Sequence, residues 1–118
     1  VAFGMRDSLE IMRGMKVPIR EIRASGGGAR SGVWRQMLAD VCGARIVTLN
    51  VDEGPAFGAA LLATVASGEY ESTAEACDAT IRVVVSCEPE ASATTAYEPW
   101  YALYRDTYTA LAPADLLE

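Results

Sequence analysis

The stretch that decides the fold is Ile19-Arg20-Glu21-Ile22-Arg23-Ala24-Ser25-Gly26-Gly27-Gly28-Ala29-Arg30-Ser31-Gly32-Val33-Trp34. Its first six residues are a short run bounded by Pro18 and Gly26, which predicts a strand over 19–24 better than a helix. Three consecutive glycines then interrupt the chain. Beyond them Ser31 is placed to cap a helix, because Val33, Met37, Leu38 and Val41 fall on one helical face, and Gly43 offers a left-handed stop. Strand, glycine loop and helix in this order form the first half of a crossover unit, which places the chain in the α/β class.

Working outward, Arg45-Ile46-Val47-Thr48-Leu49 is a β-branched run that predicts a second strand, with Asn50 to Glu53 turning out of it. Pro55 suits a first helical position and Gly68 a stop, so 55–66 is predicted helical. Ala56, Gly58, Ala59, Ala60 and Ala63 are small, and close packing of this helix against a sheet or another helix is expected. Ser72-Thr73-Ala74-Glu75 has capping-box spacing and predicts a short helix to about Ala79. Ile81 to Val85 is strand-like, and Glu88-Pro89-Glu90 with the small polar residues after it predicts a connecting loop. Tyr97, Tyr101, Tyr104, Tyr108 and Leu111 share one face of a last helix, which fits a docking face. Towards the N-terminus, Val1, Met5, Leu9 and Met12 recur at helical spacing up to Gly14. Crossover helices predict parallel pairing. Two or three strands make a thin sheet, and some apolar faces are expected to lack cover.

Composition narrows function by exclusion. The 118 residues are 51% hydrophobic and 22% charged, which suits one folded domain. The net charge of −6 argues against a nucleic-acid partner, since such proteins cluster Lys and Arg to displace counterions. No histidine is present, so Ser-His-Asp and Cys-His catalysis and histidine-bound zinc are impossible within this chain. Cys42, Cys77 and Cys87 are odd in number and form no C-x-x-C pair, consistent with a reducing cytoplasm. The longest largely apolar run, Pro55 to Ala66, is short of the roughly 20 residues of a membrane span, and no signal-peptide plan opens the chain. A cytoplasmic location without membrane contact is the expectation. Charge is unevenly spread: residues 1–50 carry eight Lys or Arg against four Asp or Glu, and residues 51–118 carry two against twelve.

Chemistry, if any, centres on the glycine loop. Glycines allow a close backbone approach, and the N–H groups of the helix that follows attract a phosphate. The loop lacks the Gly-Lys-Ser/Thr ending of a Walker A motif. It is not G-x-G-x-x-G either, because Ser31 stands at the last glycine position counted from Gly26. From the residues alone, a plain tight turn and an anion or nucleotide site both stay open. Glu53, just before a helix, reads as a favourable dipole contact rather than a general base. Asp40 and Asp52 read as surface or turn residues.

Taken together and in register, Gly26-Gly27-Gly28-Ala29-Arg30-Ser31, Trp34-Arg35-Gln36, Ala39-Asp40-Val41 and Glu53-Gly54-Pro55-Ala56-Phe57-Gly58-Ala59-Ala60 resemble the carboxy-terminal part of the FGGY family of carbohydrate kinases. The resemblance runs nearly the length of the chain and is strongest to the family's xylulose kinases. It implies an α/β fold that is part of an actin-like ATPase, ribonuclease H-like domain with a short, mostly parallel sheet and flanking helices. Residues 1–118 would then be an FGGY C-terminal domain lacking its first strands. It implies ATP and Mg²⁺ as cofactors and a sugar, D-xylulose first and ribulose, gluconate or glycerol as alternatives, phosphorylated by in-line transfer. The nucleotide contacts implied are Gly26, Gly27, Gly28, Arg30, Ser31, Gly32 and Gln36. The phosphate loop, catalytic base and sugar contacts of the family have no match here, so the resemblance implies no catalytic or metal-ligating residue and no activity of the chain alone. A homodimer is one way to cover the exposed sheet surface. The readings from other classes are a non-catalytic interaction module and an actin-like regulator; the second is weakened because no DNA-binding segment is present.

Overall fold

The computed structural model describes residues 1–51 and 54–111. Helix α1 spans Ala2–Gly14, strand β1 Ile22–Arg23, a 3₁₀ turn Gly27–Arg30, α2 Gly32–Cys42, β2 Ile46–Leu49, α3 Gly54–Ala66, α4 Thr73–Thr80, β3 Val83–Cys87 and α5 Ala91–Leu111. The readings of Asp52 and Glu53 lie outside the described residues.

The local signals act where they stand. The Ser31 side chain accepts the Trp34 N–H at 3.3 Å and opens α2. Gly43 closes the helix in the left-handed region, at φ 55°. Arg13 of α1 adds a second stop by donating to the Cys42 carbonyl at 3.0 Å, a cation placed at the negative end of the helix. In α4 half of the expected capping box forms: the Glu75 N–H donates to Ser72 Oγ at 3.2 Å, while the Glu75 carboxylate accepts the N–H of Glu71, one residue before the cap, at 2.7 Å.

The sheet has three strands in the order β1-β2-β3 and is mixed. β1 and β2 pair in parallel, Ile22 with Ile46 and Arg23 with Val47. β2 and β3 are antiparallel, so among the described residues the sheet is mixed, with one parallel and one antiparallel pair, where a mostly parallel one is expected. One crossover helix returns a chain to the same end of a sheet. Here two helices, α3 and α4, separate β2 from β3, so the chain comes back from the opposite end. β1 is also shorter than its sequence predicts. Its partner β2 begins only at Ile46, just past the left-handed turn at Gly43, leaving residues 19–21 with no strand beside them. β3 starts two residues late because Asn50 occupies the chain before it: its side chain accepts the Arg82 N–H at 2.8 Å and donates to the Thr80 carbonyl at 3.0 Å.

The core lies between α2 and the sheet. Leu38, Ala39 and Ile46 are buried together, with Ile22, Ala24, Trp34 and Cys87 packed around them. Helices α1 and α5 both lean on α2. Only part of the tyrosine face of α5 docks inward: Phe3 of α1 meets the rings of Tyr97, Tyr101 and Tyr104 with centroids 6.3, 5.8 and 5.6 Å away, while Tyr108 and Leu111 of the same face stay exposed. Arg6, buried, places its guanidinium 4.1 Å over the Tyr101 ring and donates to Glu98 Oε1 at 2.7 Å. Tyr101 donates to Asp7 Oδ1 at 2.6 Å.

Three expectations are corrected. The small residues Ala56, Ala59, Ala60 and Ala63 are solvent-exposed; α3 buries Leu61 and packs on α4. The segment after Glu90 is not a loop but the start of α5 at Ala91. Asp40 is buried rather than on the surface, for the reason that α5 begins where it does: its Oδ1 accepts the Glu90 N–H at 2.8 Å. The open face is as expected. β1 has one neighbour only, and beside it runs an apolar groove of about 830 Å³ lined by Met5, Leu9, Ile19, Ile22, Leu38 and Ile46 among others. No helix among the described residues is long and apolar enough to cross a membrane.

Candidate nucleotide site

β1 and β2 run in parallel and end side by side, at Arg23 and Leu49. The carboxyl ends of parallel strands are where open α/β sheets hold ligands. Two hollows lie there and share Ala24, Leu49 and Val51. The larger, about 280 Å³, is walled by Leu49, Val51, Phe57, Leu61 and Ile81 and is mainly apolar. The smaller, about 130 Å³, has Arg30, Arg35 and Thr48 on its walls.

The glycine loop closes one side. Gly26 takes φ 82°, a left-handed value that a side chain resists, and this turns the chain from β1 into the 3₁₀ turn. The turn is held by the Ala29 N–H on the Gly26 carbonyl and the Ser31 N–H on the Gly28 carbonyl, both at 3.1 Å. The first N–H groups of a helical turn have no acceptor within it, so the 3₁₀ turn and then α2 each present donors, only a few residues apart. Gly28 faces Trp34: a Cβ there would lie 3.3 Å from the indole Nε1. Gly27 has open space, with nothing within 4 Å of a Cβ.

Of the residues named from the sequence, Arg30 lines the smaller hollow, and the others adjoin it along the chain without lining either hollow. Gly26, Gly27, Gly28, Arg30, Ser31 and Gly32 make the loop and the first turn of α2. Gln36 sits one turn further on, and its amide nitrogen donates to Asp40 Oδ1 and to the Glu88 carbonyl, each at 2.9 Å. It thereby ties α2 to the β3–α5 junction and keeps its amide oxygen for any ligand. Sequence reasoning missed Arg35 and the Phe57–Leu61 wall. Arg35 stood beside Trp34 and Gln36 in a quoted motif, but an arginine in a helix gives no sign of where its guanidinium goes. Among the described residues no group of three or more His, Cys, Asp or Glu could hold a metal ion.

A family model described as the FGGY family of carbohydrate kinases, C-terminal domain, matches residues 1–67, from α1 through the loop, α2 and β2 to the end of α3. The chain belongs to the FGGY family of carbohydrate kinases. Among its FGGY relatives is a xylulose kinase of Bacillus subtilis (strain 168), 34% identical over 109 residues, with 92% of this chain and 22% of that protein covered. An L-xylulose/3-keto-L-gulonate kinase of Escherichia coli (strain K12) is 38% identical over 111 residues, covering 94% and 22%. The ligand-bound crystal structure of a xylulose kinase from Lactobacillus acidophilus superposes with a TM-score of 0.83 at 23% identity, over 96% of this chain and 23% of that one. The fold is accordingly that of the FGGY kinases, a piece of an actin-like ATPase domain. This FGGY chain spans under a quarter of the length of the kinases it matches.

Proposed function

We propose that this chain is the nucleotide side of an ATP-dependent sugar kinase whose substrate is D-xylulose, with L-xylulose-type and other pentulose or polyol substrates as the alternatives. The observation that carries the nucleotide reading is the placement of the glycine loop. It brings two helical starts to the carboxyl ends of β1 and β2, beside an apolar hollow and a smaller one with arginines on its walls. In this reading Gly26, Gly27, Gly28, Ser31 and Gly32 offer backbone or hydroxyl contacts to the phosphates, Arg30 supplies positive charge, and Gln36 offers its amide oxygen to the ribose. ATP, when bound, supplies the phosphoryl group. The residues here bind and orient it, and the apolar wall of Phe57 and Leu61 excludes water from one side of the nucleotide.

In this reading Mg²⁺ enters with the nucleotide, as the counter-ion of its phosphates. Base, sugar contacts and phosphate loop are assigned to the part of the kinase this sequence does not match, and the chain alone should transfer no phosphate. Self-association over the groove beside β1 belongs to the same proposal, and sedimentation measures it.

The test is calorimetric titration with Mg·ADP of the wild-type chain and of Gly28→Val. Saturable binding that the valine weakens about tenfold or more, with folding intact, supports the reading. Wild-type binding that is absent or indifferent to the substitution removes it. A second reading, a non-catalytic docking module, has one observation behind it: Trp100, Leu103 and Leu111 of α5 are exposed. An unchanged ligand profile in Gly28→Val favours that alternative.

A further inference from the structure

Arg35 stands in the first turn of α2, one residue after the tryptophan that faces Gly28. Its Nη1 donates to the Ala29 carbonyl at 2.6 Å, a short, charge-assisted bond that reaches back across the helix start into the 3₁₀ turn. Ala29 is the buried residue of that turn. The guanidinium is only partly exposed, and its Nε–H is buried with no hydrogen-bond partner among the described residues.

An unsatisfied donor on a half-buried cation costs free energy that a methionine or leucine of similar length would not incur. The position is therefore poorly explained by packing alone. The bond matters because the sheet holds the loop weakly. β1 contributes two paired residues before the glycines begin, and Gly26 and Gly27 have no neighbour within 4 Å of a Cβ position. The Ala24 N–H donates to the Val47 carbonyl at 2.8 Å where β1 ends, and beyond it Trp34 against Gly28 and Arg35 on Ala29 are contacts by which α2 holds the loop.

We propose that Arg35 is a positioning residue for the nucleotide loop: by gripping the Ala29 carbonyl it holds Gly26 to Ser31 in the shape in which the N–H groups not bonded within the turn can meet a bound nucleotide. This rests on the nucleotide reading of the loop. Arg35 touches the loop rather than the reacting atoms, and its guanidinium also adds positive potential to the wall of the smaller hollow.

The experiment pairs two readouts on the full chain: hydrogen exchange of the amides of residues 27–31 without ligand, and the affinity for Mg·ADP. Arg35→Met keeps the length and removes the donors; Arg35→Lys keeps the charge and one donor. Losing a hydrogen bond to a charged group should speed loop exchange and weaken ADP binding in Arg35→Met by about tenfold each. Exchange in the α2 interior stays unchanged, and Arg35→Lys restores at least half of both effects. Loop exchange that does not respond to Arg35→Met overturns the proposal, as does a lysine variant no better than methionine. If Arg35→Met does not fold, Arg35→Gln, shorter and uncharged, decides: loop exchange faster than wild type with weaker ADP binding supports the grip, and wild-type values for both overturn it. A loop that loosens in a chain whose wild type binds no Mg·ADP shows that the grip exists but the nucleotide reading has failed, and the proposal falls with it.

Discussion

Asp40 Oδ1 receives the backbone N–H of Glu90 at 2.8 Å, so that a carboxylate in α2 starts a helix 50 residues further along the chain. The same oxygen accepts the Gln36 amide at 2.9 Å. Asp40→Ala leaves the Glu90 N–H and the Gln36 amide without their acceptor in a buried place, and should lower stability by about 2 kcal/mol. Asp40→Asn keeps an oxygen and should lose less. Urea unfolding of both variants measures the difference.

The Tyr101 hydroxyl is pushed up from 10.0 to about 12, by burial first and then by its hydrogen bond to Asp7 and the charge of that carboxylate. Unfolding restores the ordinary value, so between pH 10 and about 12 the unfolded chain sheds this proton while the folded chain keeps it. Stability from this group is complete below pH 10 and declines as pH rises through that window. Tyrosinate absorbance should show one of the five tyrosines titrating late, and Tyr101→Phe should remove that late step.

Gly43 and Gly27 make a matched pair of alanine substitutions. Gly43 holds φ 55°, and a Cβ there would sit 3.5 Å from Thr94 Cγ2, an ordinary contact. Gly43→Ala should therefore cost about 1 kcal/mol, nearly all of it conformational. At Gly27 a methyl meets open space, so Gly27→Ala should leave stability within about 0.5 kcal/mol of wild type. If the loop carries a nucleotide, the same methyl should still weaken Mg·ADP binding. Thermal denaturation beside calorimetry separates the two effects.

Arg6 is held over Tyr101 and against Glu98, with Nε and Nη1 lacking hydrogen-bond partners. Removing the acid, as in Glu98→Ala, leaves this buried cation with less compensation and should destabilise the chain by more than the ~1 kcal/mol of a surface pair. The double variant Arg6→Met, Glu98→Ala should recover part of that loss. Denaturant midpoints of the two single variants and the double variant measure the coupling.

What the sequence made legible was local. Ser31, Gly43 and the Ser72–Glu75 box are signals whose partners lie within a few residues, and each helix boundary they predict is found nearly in place. The glycine loop was equally visible, since three glycines between a strand and a helix need no tertiary information to be recognised. The misreadings are long-range. Asp40 looked like a surface residue because its partner is 50 residues away, and α5 looked shorter because its first turn depends on that carboxylate. β3 turned antiparallel because α3 and α4 both intervene, and Arg35 looked like any helical arginine because its target is a backbone carbonyl.

The joining of α1 to α5 has a consequence in time. Arg6 and Glu98 are 92 residues apart, and Asp7 and Tyr101 are 94 apart. At roughly 5–20 residues per second of synthesis, α1 leaves the ribosome some 5–20 seconds before its partner helix exists. For that interval α1 can already pack on α2, but Phe3 lacks its tyrosine partners and Arg6 lacks Glu98. A nascent chain stopped short of Tyr97 should therefore be held by chaperones, and release should coincide with emergence of the last helix.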